Sequence, residues 1–236
     1  NYPNIRFYQT PISSSRRIYK MFQSHFFWKS VLQKENFDYF ESFNLPLVEI
    51  SNTITFQTIH DIRSVSLENS SLKKIVSRYF HSSAIKRANT IITVSDTMKS
   101  EILKSFPYAS ISRIDNGIDM DSFKDVNLNN SSELRSRLKL PKKFLLSVGH
   151  FEERKNYSKL IEAIKHLQGD GIFYQLVIIG NDNGSKSLLQ KKINSMGLEN
   201  SIRLLSDIGT NDFKLIYNMC EYFIFPSFYE GFGIPI

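Results

Sequence analysis

The sequence predicts an α/β protein in which parallel sheets carry helices on both faces. Two observations carry this reading. From residue 174 onward YQLVIIG, SKSLLQKKINSMG, SIRLL, TNDFKLIYNMC and EYFIFPS alternate strand-like with helix-like patterning, and a βαβα succession closes as a parallel sheet. In the earlier half, TITFQTIHDI and IITVSDTMKSEIL each place an apolar run of strand length ahead of polar turn or capping residues.

Taken in chain order, SSSRRIYKMFQSHFFWKSVLQK comes first and interleaves Arg16, Arg17, Lys20, Lys29 and Lys34 with Phe22, Phe26, Phe27 and Trp28. A basic aromatic helix can lie on an anionic membrane face. The preferred reading is an ordinary helix, because Ile18, Met21, Phe22 and Phe26 already form one apolar side. TITFQTIHDI reads as a buried strand ending in His60 and Asp61, at a carboxyl edge where ligands of such sheets bind; a structural histidine and a capping aspartate are the plainer alternatives. In IITVSDTMKSEIL a strand leads to Ser95 as N-cap of a helix whose apolar face is Met98, Ile102 and Leu103. Asn116-Gly117 is a turn dipeptide. The polar run KDVNLNNSSELRSRLKLPKK (124–143) reads as a linker with a short helix.

After the strand-like KFLL, Asn156 is a good N-cap for a helix with Leu160, Ile161, Ile164 and Leu167 on one face. GNDNG (180–184) is a loop that suits a surface turn about as well as a ligand site. Tyr217 reads as packing. Tyr222, Phe223, Ile224 and Phe225 form a final buried strand closed by Pro226 and Ser227, so Glu230 falls just outside its carboxyl end. Gly231 and Gly233 lack a Cβ, so both can take positive φ and let a ligand approach the backbone.

Composition narrows the class without selecting an activity. A chain of 236 residues with 41% hydrophobic content can bury one large or two small cores. A single cysteine, Cys220, excludes an internal disulfide. No secretory signal and no apolar run near the ~20 residues of a membrane-spanning helix are visible. The net charge of +7 is spread along the chain, 16 basic against 12 acidic residues up to position 125 and 14 against 11 beyond it. That surplus fits anionic partners in general, including nucleotide sugars, phospholipid surfaces and nucleic acid, the last with only the charge in its favour.

PSFYEGFGIPI resembles the first part of the Glu-x7-Glu signature of family 4 retaining glycosyltransferases, which have the two-domain GT-B fold. The resemblance implies that Glu230 lies against the donor sugar, and that the second glutamate falls two residues past Ile236. SVGHFEERKNYSKLIEAI is similar to the stretch in which a basic pair reaches the donor diphosphate. It implies that role for Arg154 and Lys155, with Gly149 beside them. LLSDIGTNDFKLIY resembles the base-binding stretch, but Ser206 stands where a glycine is usual, so Ser206, Asp207 and Ile208 are neighbouring candidates. In similar members the His-Asp pair faces the cleft near the reacting sugar, which implies a catalytic place for His60 and leans toward mannosyl transfer.

On this resemblance the fold is GT-B, two Rossmann-like domains facing a cleft, both incomplete in this chain. Residues 1–123 are a partial acceptor-side domain, 124–140 a linker and 141–236 a partial donor-binding domain. The implied function is retaining transfer of a mannose-like or other hexose from a nucleotide diphosphate sugar to an acceptor hydroxyl in cell-surface polysaccharide or glycolipid assembly. Catalytic candidates are Glu230, His60, Arg154 and Lys155. Donor-binding candidates are Gly149, Arg154, Lys155, Ser206, Asp207, Ile208, Glu230, Gly231, Phe232 and Gly233. No cofactor and no metal are expected, since the basic pair can carry the diphosphate charge. The expected partners are the nucleotide sugar, a saccharide or lipid-linked acceptor and a peripheral membrane contact, in the cytoplasm or on the inner membrane face. Two alternatives stay open: a noncatalytic sugar-nucleotide-binding fragment, and a nucleotide-dependent oxidoreductase, against which the lack of a G-x-G-x-x-G after a strand counts.

Overall fold

The computed structural model describes residues 23, 26–31, 34, 37–43, 53–66, 70–124, 126 and 130–235, in two compact units, Asn1–Asn116 and Gly117–Ile236. Among the described residues no helix is long and apolar enough to cross a membrane.

The first unit runs β1 (Tyr39–Ser42), β2 (Ile54–Ile59), α1 (Arg63–Ser66), α2 (Ser71–Arg87), β3 (Thr90–Thr93), α3 (Asp96–Ser105) and β4 (Ile111–Arg113). Its sheet is parallel throughout, in the order β1-β2-β3-β4. Thr55 anchors the start of β2: its N–H and its hydroxyl both donate to Asn89 Oδ1. Ser95 caps α3 as expected, its Oγ accepting from the Met98 N–H at 3.2 Å, and Met98 and Ile102 below it are buried. The basic aromatic segment gives a mixed result. Arg16, Arg17, Ile18, Lys20, Met21 and Phe22 lie outside the described residues, and Phe26, expected on the buried side, is exposed. The neighbouring rings pack instead: Phe27 meets Trp28 edge-on at 5.1 Å, and Trp28 lies 6.4 Å from Phe40.

The second unit runs α4 (Asp121–Lys124), α5 (Ser131–Leu138), β5 (Leu145–Val148), a 3-10 turn (Glu153–Lys155), α6 (Tyr157–Gly169), β6 (Leu176–Ile179), α7 (Lys186–Ser195), β7 (Ile202–Leu205), α8 (Thr210–Met219) and β8 (Tyr222–Phe223). Its sheet is again parallel, in the order β7-β6-β5-β8. Strand side chains alternate between faces, and in β6 both faces are covered. Leu176 and Ile178 join Ile161, Ile164 and Ile193 in one core, while Val177 and Ile179 join Leu134, Leu215 and Ile216 in the other. That is why LVII is an unbroken apolar run, buried at all four positions. The segment read as a linker contributes to this second core through Leu134 and Leu140, and the two units divide ahead of it, at Asn116-Gly117.

Two expectations are corrected here. The last strand is shorter and less buried than its sequence suggests, because β8 pairs only with β5 among the described strands. Tyr222 is exposed, and beyond Phe223 only the Ile224 N–H continues the ladder, to Leu146 O at 2.7 Å. Asn156 precedes α6, but its side chain makes no cap hydrogen bond; the residue sits in the left-handed region at φ 57°, which asparagine tolerates better than most residues.

Candidate functional site

Strand order reverses at β5: β6 and β7 lie on one side of it and β8 on the other. The connection leaving β5 runs to β6, away from β8, and the carboxyl ends flanking such a reversal are where ligands of open α/β sheets bind. The residues that follow β5 (149–156) and those that follow β8 (224–233) meet there.

Five contacts stitch the two segments together across 70 or more positions of sequence. The Asn156 side-chain amide donates to Pro226 O at 3.0 Å, and the Phe228 N–H donates to Arg154 O at 2.9 Å. Arg154 Nη1 reaches both Tyr229 O, at 3.0 Å, and Glu230 Oε2, at 2.8 Å. Lys155 Nζ completes the set at 2.6 Å from Glu230 Oε1. Arg154 and Lys155, two of the donor-binding candidates, thus both contact a third, Glu230, with each of its carboxylate oxygens taken by a different cation. Asn156, expected as a helix cap, serves as a tether for the opposite loop.

Lys155 is 6% exposed, a burial that a cation tolerates only with a partner. Its ammonium lies 5.1 Å from the centre of the Phe225 ring as well as against Glu230. Gly149 makes room for it. At φ 150°, a Cβ on Gly149 would come within 2.8 Å of Lys155 Cε and 3.0 Å of the Tyr157 hydroxyl. Tyr157 is itself a buried residue that the sequence reading left unassigned; its hydroxyl donates to Gly149 O at 2.9 Å. Burial pushes the Tyr157 phenol far above its ordinary range, so it stays a neutral donor.

The electrostatics favour the charged forms of Glu230 and Arg154. Burial opposes ionisation of Glu230, but hydrogen bonds from Lys155 and Arg154 more than offset it, and its pKa lies below the ordinary glutamate value. Burial likewise opposes the charge on Arg154, and Glu230 and Glu152 reverse that effect. Glu152 is a further residue that the sequence reading missed. Its Oε1 accepts from Arg154 Nη2 at 2.7 Å, while its Oε2 accepts from the Asn183 side chain at 3.1 Å. Arg154 is therefore gripped between two carboxylates, one of them braced by the 180–184 loop. The juxtaposed acids and bases of EERK were the available signal; nothing in the spacing pointed to Asn183.

We expect Glu152→Gln to lower turnover roughly tenfold, because the guanidinium loses the partner that fixes its position. Binding of the nucleoside diphosphate should hold or strengthen, since the site becomes more positive. Steady-state kinetics with calorimetric titration would check this, and unchanged turnover would remove Glu152 from the positioning role.

The other candidates are placed as follows. Ser206 Oγ donates to Gly180 O at 3.0 Å and accepts from Lys186 Nζ at 2.6 Å, so the residue that replaces the usual glycine ties two loops together. Asp207 is exposed at φ 56°, with its N–H held by Asn181 Oδ1, and Ile208 packs against the second core. Phe232 is half-buried. Gly233 takes positive φ, at 96°, but Gly231 does not, so only one of the two glycines uses that freedom. Tyr217 packs as expected, stacked on Phe223 at 5.1 Å, with its hydroxyl on Pro235 O. In the first unit His60 is exposed at the end of β2 and lines a cavity of about 170 Å³ with Phe43, Gln57, Thr58, Ile59, Asp61 and His81. Its ring lies parallel to that of Phe43 at 6.5 Å. Asp61 Oδ1 accepts from the Arg63 N–H, a local cap for α1.

Comparison with known proteins places this geometry. The sequence model of Glycosyltransferase Family 4 matches residues 2–122, and that of Glycosyl transferases group 1 matches residues 130–236. Among curated relatives, the O-antigen chain mannosyltransferase RfbU of Salmonella typhimurium is 28% identical over 75% of this chain and 47% of its own length. O-antigen chain mannosyltransferase B of Escherichia coli is 29% identical over 76% of this chain and 48% of its own length. The chain thus spans about half the length of these relatives. Among solved structures, sucrose-phosphate synthase from Thermosynechococcus elongatus superposes with a TM-score of 0.72 at 17% identity, covering 98% of this chain and 61% of that one. WaaG, a glycosyltransferase of lipopolysaccharide biosynthesis, gives 0.70 at 19% identity, covering 97% and 64%. These likenesses show the fold, GT-B.

Proposed function

This chain belongs to glycosyltransferase family 4, and from that premise we propose that it serves retaining transfer of a mannose-like hexose from a nucleoside diphosphate sugar to an acceptor hydroxyl. The observation that carries the reading is the Arg154–Glu230–Lys155 cluster at the strand-order reversal. It sets two cations and a sugar-reading carboxylate side by side, as a donor with a diphosphate next to a hexose requires. As the bond between the anomeric carbon and the phosphate oxygen breaks, negative charge grows on the diphosphate, and Arg154 and Lys155 stabilise it. The acceptor oxygen bonds to the anomeric carbon, and its proton passes to an oxygen of the leaving diphosphate. Glu230 accepts from sugar hydroxyls. No metal takes part in this scheme. The mannosyltransferase relatives support the choice of sugar and a role in polysaccharide assembly.

The test is transfer by the protein in its natural full length, with GDP-mannose and UDP-hexoses offered in turn and the product anomer read by NMR. We expect transfer of mannose with retained configuration, undiminished by EDTA. An inverted product would overturn the retaining assignment, loss of activity in EDTA the metal-free scheme, and binding without transfer the enzymatic reading.

A further inference from the structure

Helix α2 carries an apolar stripe that points away from its own core. Leu72, Ile75, Val76 and Tyr79 recur at helical spacing and are 72, 65, 46 and 69% exposed, whereas the same helix buries His81, Ala84 and Ile85 on another side. A surface helix ordinarily turns its apolar face inward, so this one has two faces with separate uses. The stripe continues onto Tyr108, which is also exposed. Its hydroxyl pairs with Ser82 at 2.7 Å, and its ring lies 5.7 Å from Lys86 Nζ.

The charge around the stripe is of one sign. Residues 71–87 hold Lys73, Lys74, Arg78, Lys86 and Arg87 and no aspartate or glutamate. Lys73, Lys74, Arg78 and Lys86 are exposed. Arg78 is held in place, its guanidinium 5.5 Å from the Phe106 ring and bonded to Ser105 O. Two copies meeting through this face would set their cations against one another, and nucleic acid has no use for an aliphatic stripe. An apolar stripe with two tyrosines and a cationic border fits the boundary between acyl chains and anionic headgroups.

We propose that α2, with Tyr108, is a docking surface for an anionic phospholipid bilayer. Leu72, Ile75, Val76 and Tyr79 enter the interface, and Lys73 and Lys86, at the edges of the stripe, meet the lipid phosphates. The proposal is independent of the donor-site reading. It also differs from the membrane role considered for the basic aromatic segment near residues 13–34.

The test is co-sedimentation of the full-length protein with vesicles of equal parts phosphatidylglycerol and phosphatidylcholine, and with phosphatidylcholine alone. We expect binding to the anionic vesicles at least tenfold tighter, weakened on raising the salt from 0.1 to 0.5 M. The double variants Ile75→Ser with Tyr79→Ser, and Lys73→Glu with Lys86→Glu, should each weaken it about tenfold or more. Because these side chains are exposed, the melting temperature and nucleoside diphosphate binding should stay as in the parent, which separates lost docking from lost folding. No preference for anionic vesicles, or undiminished binding in both folded variants, would overturn the proposal. So would a variant that turns an oligomer into a monomer by light scattering, since the stripe would then be a contact between copies.

Discussion

Arg154→Ala and Lys155→Ala are each expected to lower turnover by a factor of about 10² to 10³. The basis is the loss of one transition-state contact to developing oxygen charge, roughly 2.7–4 kcal/mol. The two variants should differ in stability. Arg154 is the more exposed and shares its work between Glu152 and Glu230. Lys155 fills the space beside Gly149 and Phe225, so truncation there leaves a void and a partly buried carboxylate with one cation fewer. Lys155→Met keeps most of the stem and isolates the charge. If both charge-removing variants turn over at near parental rates while folded, the diphosphate role assigned to this pair is wrong.

Glu230→Gln should abolish most transfer by another route. The amide keeps one acceptor oxygen and loses the charge, so it reads sugar hydroxyls poorly. In the ligand-free protein Glu230 also occupies both cations, and a diphosphate must compete for them. Removing that charge should leave affinity for the free nucleoside diphosphate intact or raised, while affinity for the intact sugar donor falls. Equal losses for both ligands, or none for either, would show that Glu230 does not read the sugar. Because Glu230 is only partly exposed and twice paired, the variant should also lose about 1–3 kcal/mol of stability. The sign with pH follows from the lowered pKa of Glu230. Its contribution is complete above the ordinary glutamate range and disappears as pH falls through the folded value. Thermal denaturation of parent and variant should therefore converge in acid.

Much of the second unit was legible in the sequence because its patterns are strong. YQLVIIG read as a strand from its short apolar run between turn residues, and Leu160, Ile161 and Ile164 placed α6 by their helical spacing. β1 was not read at all: YFES is short, and Tyr39 is exposed, so it offers little alternation to detect. Within the candidate site, Arg154, Lys155 and Glu230 could be named because they sit at element ends within recognisable local strings. Contacts between loops were beyond reach, since no periodicity encodes Glu152 with Asn183 or Asn156 with Pro226. Asn156 shows a subtler limit. Asparagine suits both an N-cap and a left-handed residue, and only the opposing loop decides between them.

The long sequence gap between the two halves of the cluster sets an order of events on the ribosome. Lys155 and Glu230 are 75 positions apart, and at 5–20 residues per second roughly 4–15 s separate their synthesis. Late in that interval, once residue 205 has been made, β5, β6 and β7 can pair, but Leu145 still lacks Tyr222 on its free side. The newborn site therefore has its cations and no carboxylate from the far loop, and Glu152 is the acid already at hand to hold Arg154. On the proposed assignment of these residues, a chain caught at this stage is equipped to grip a bare diphosphate before it can recognise the sugar attached to one.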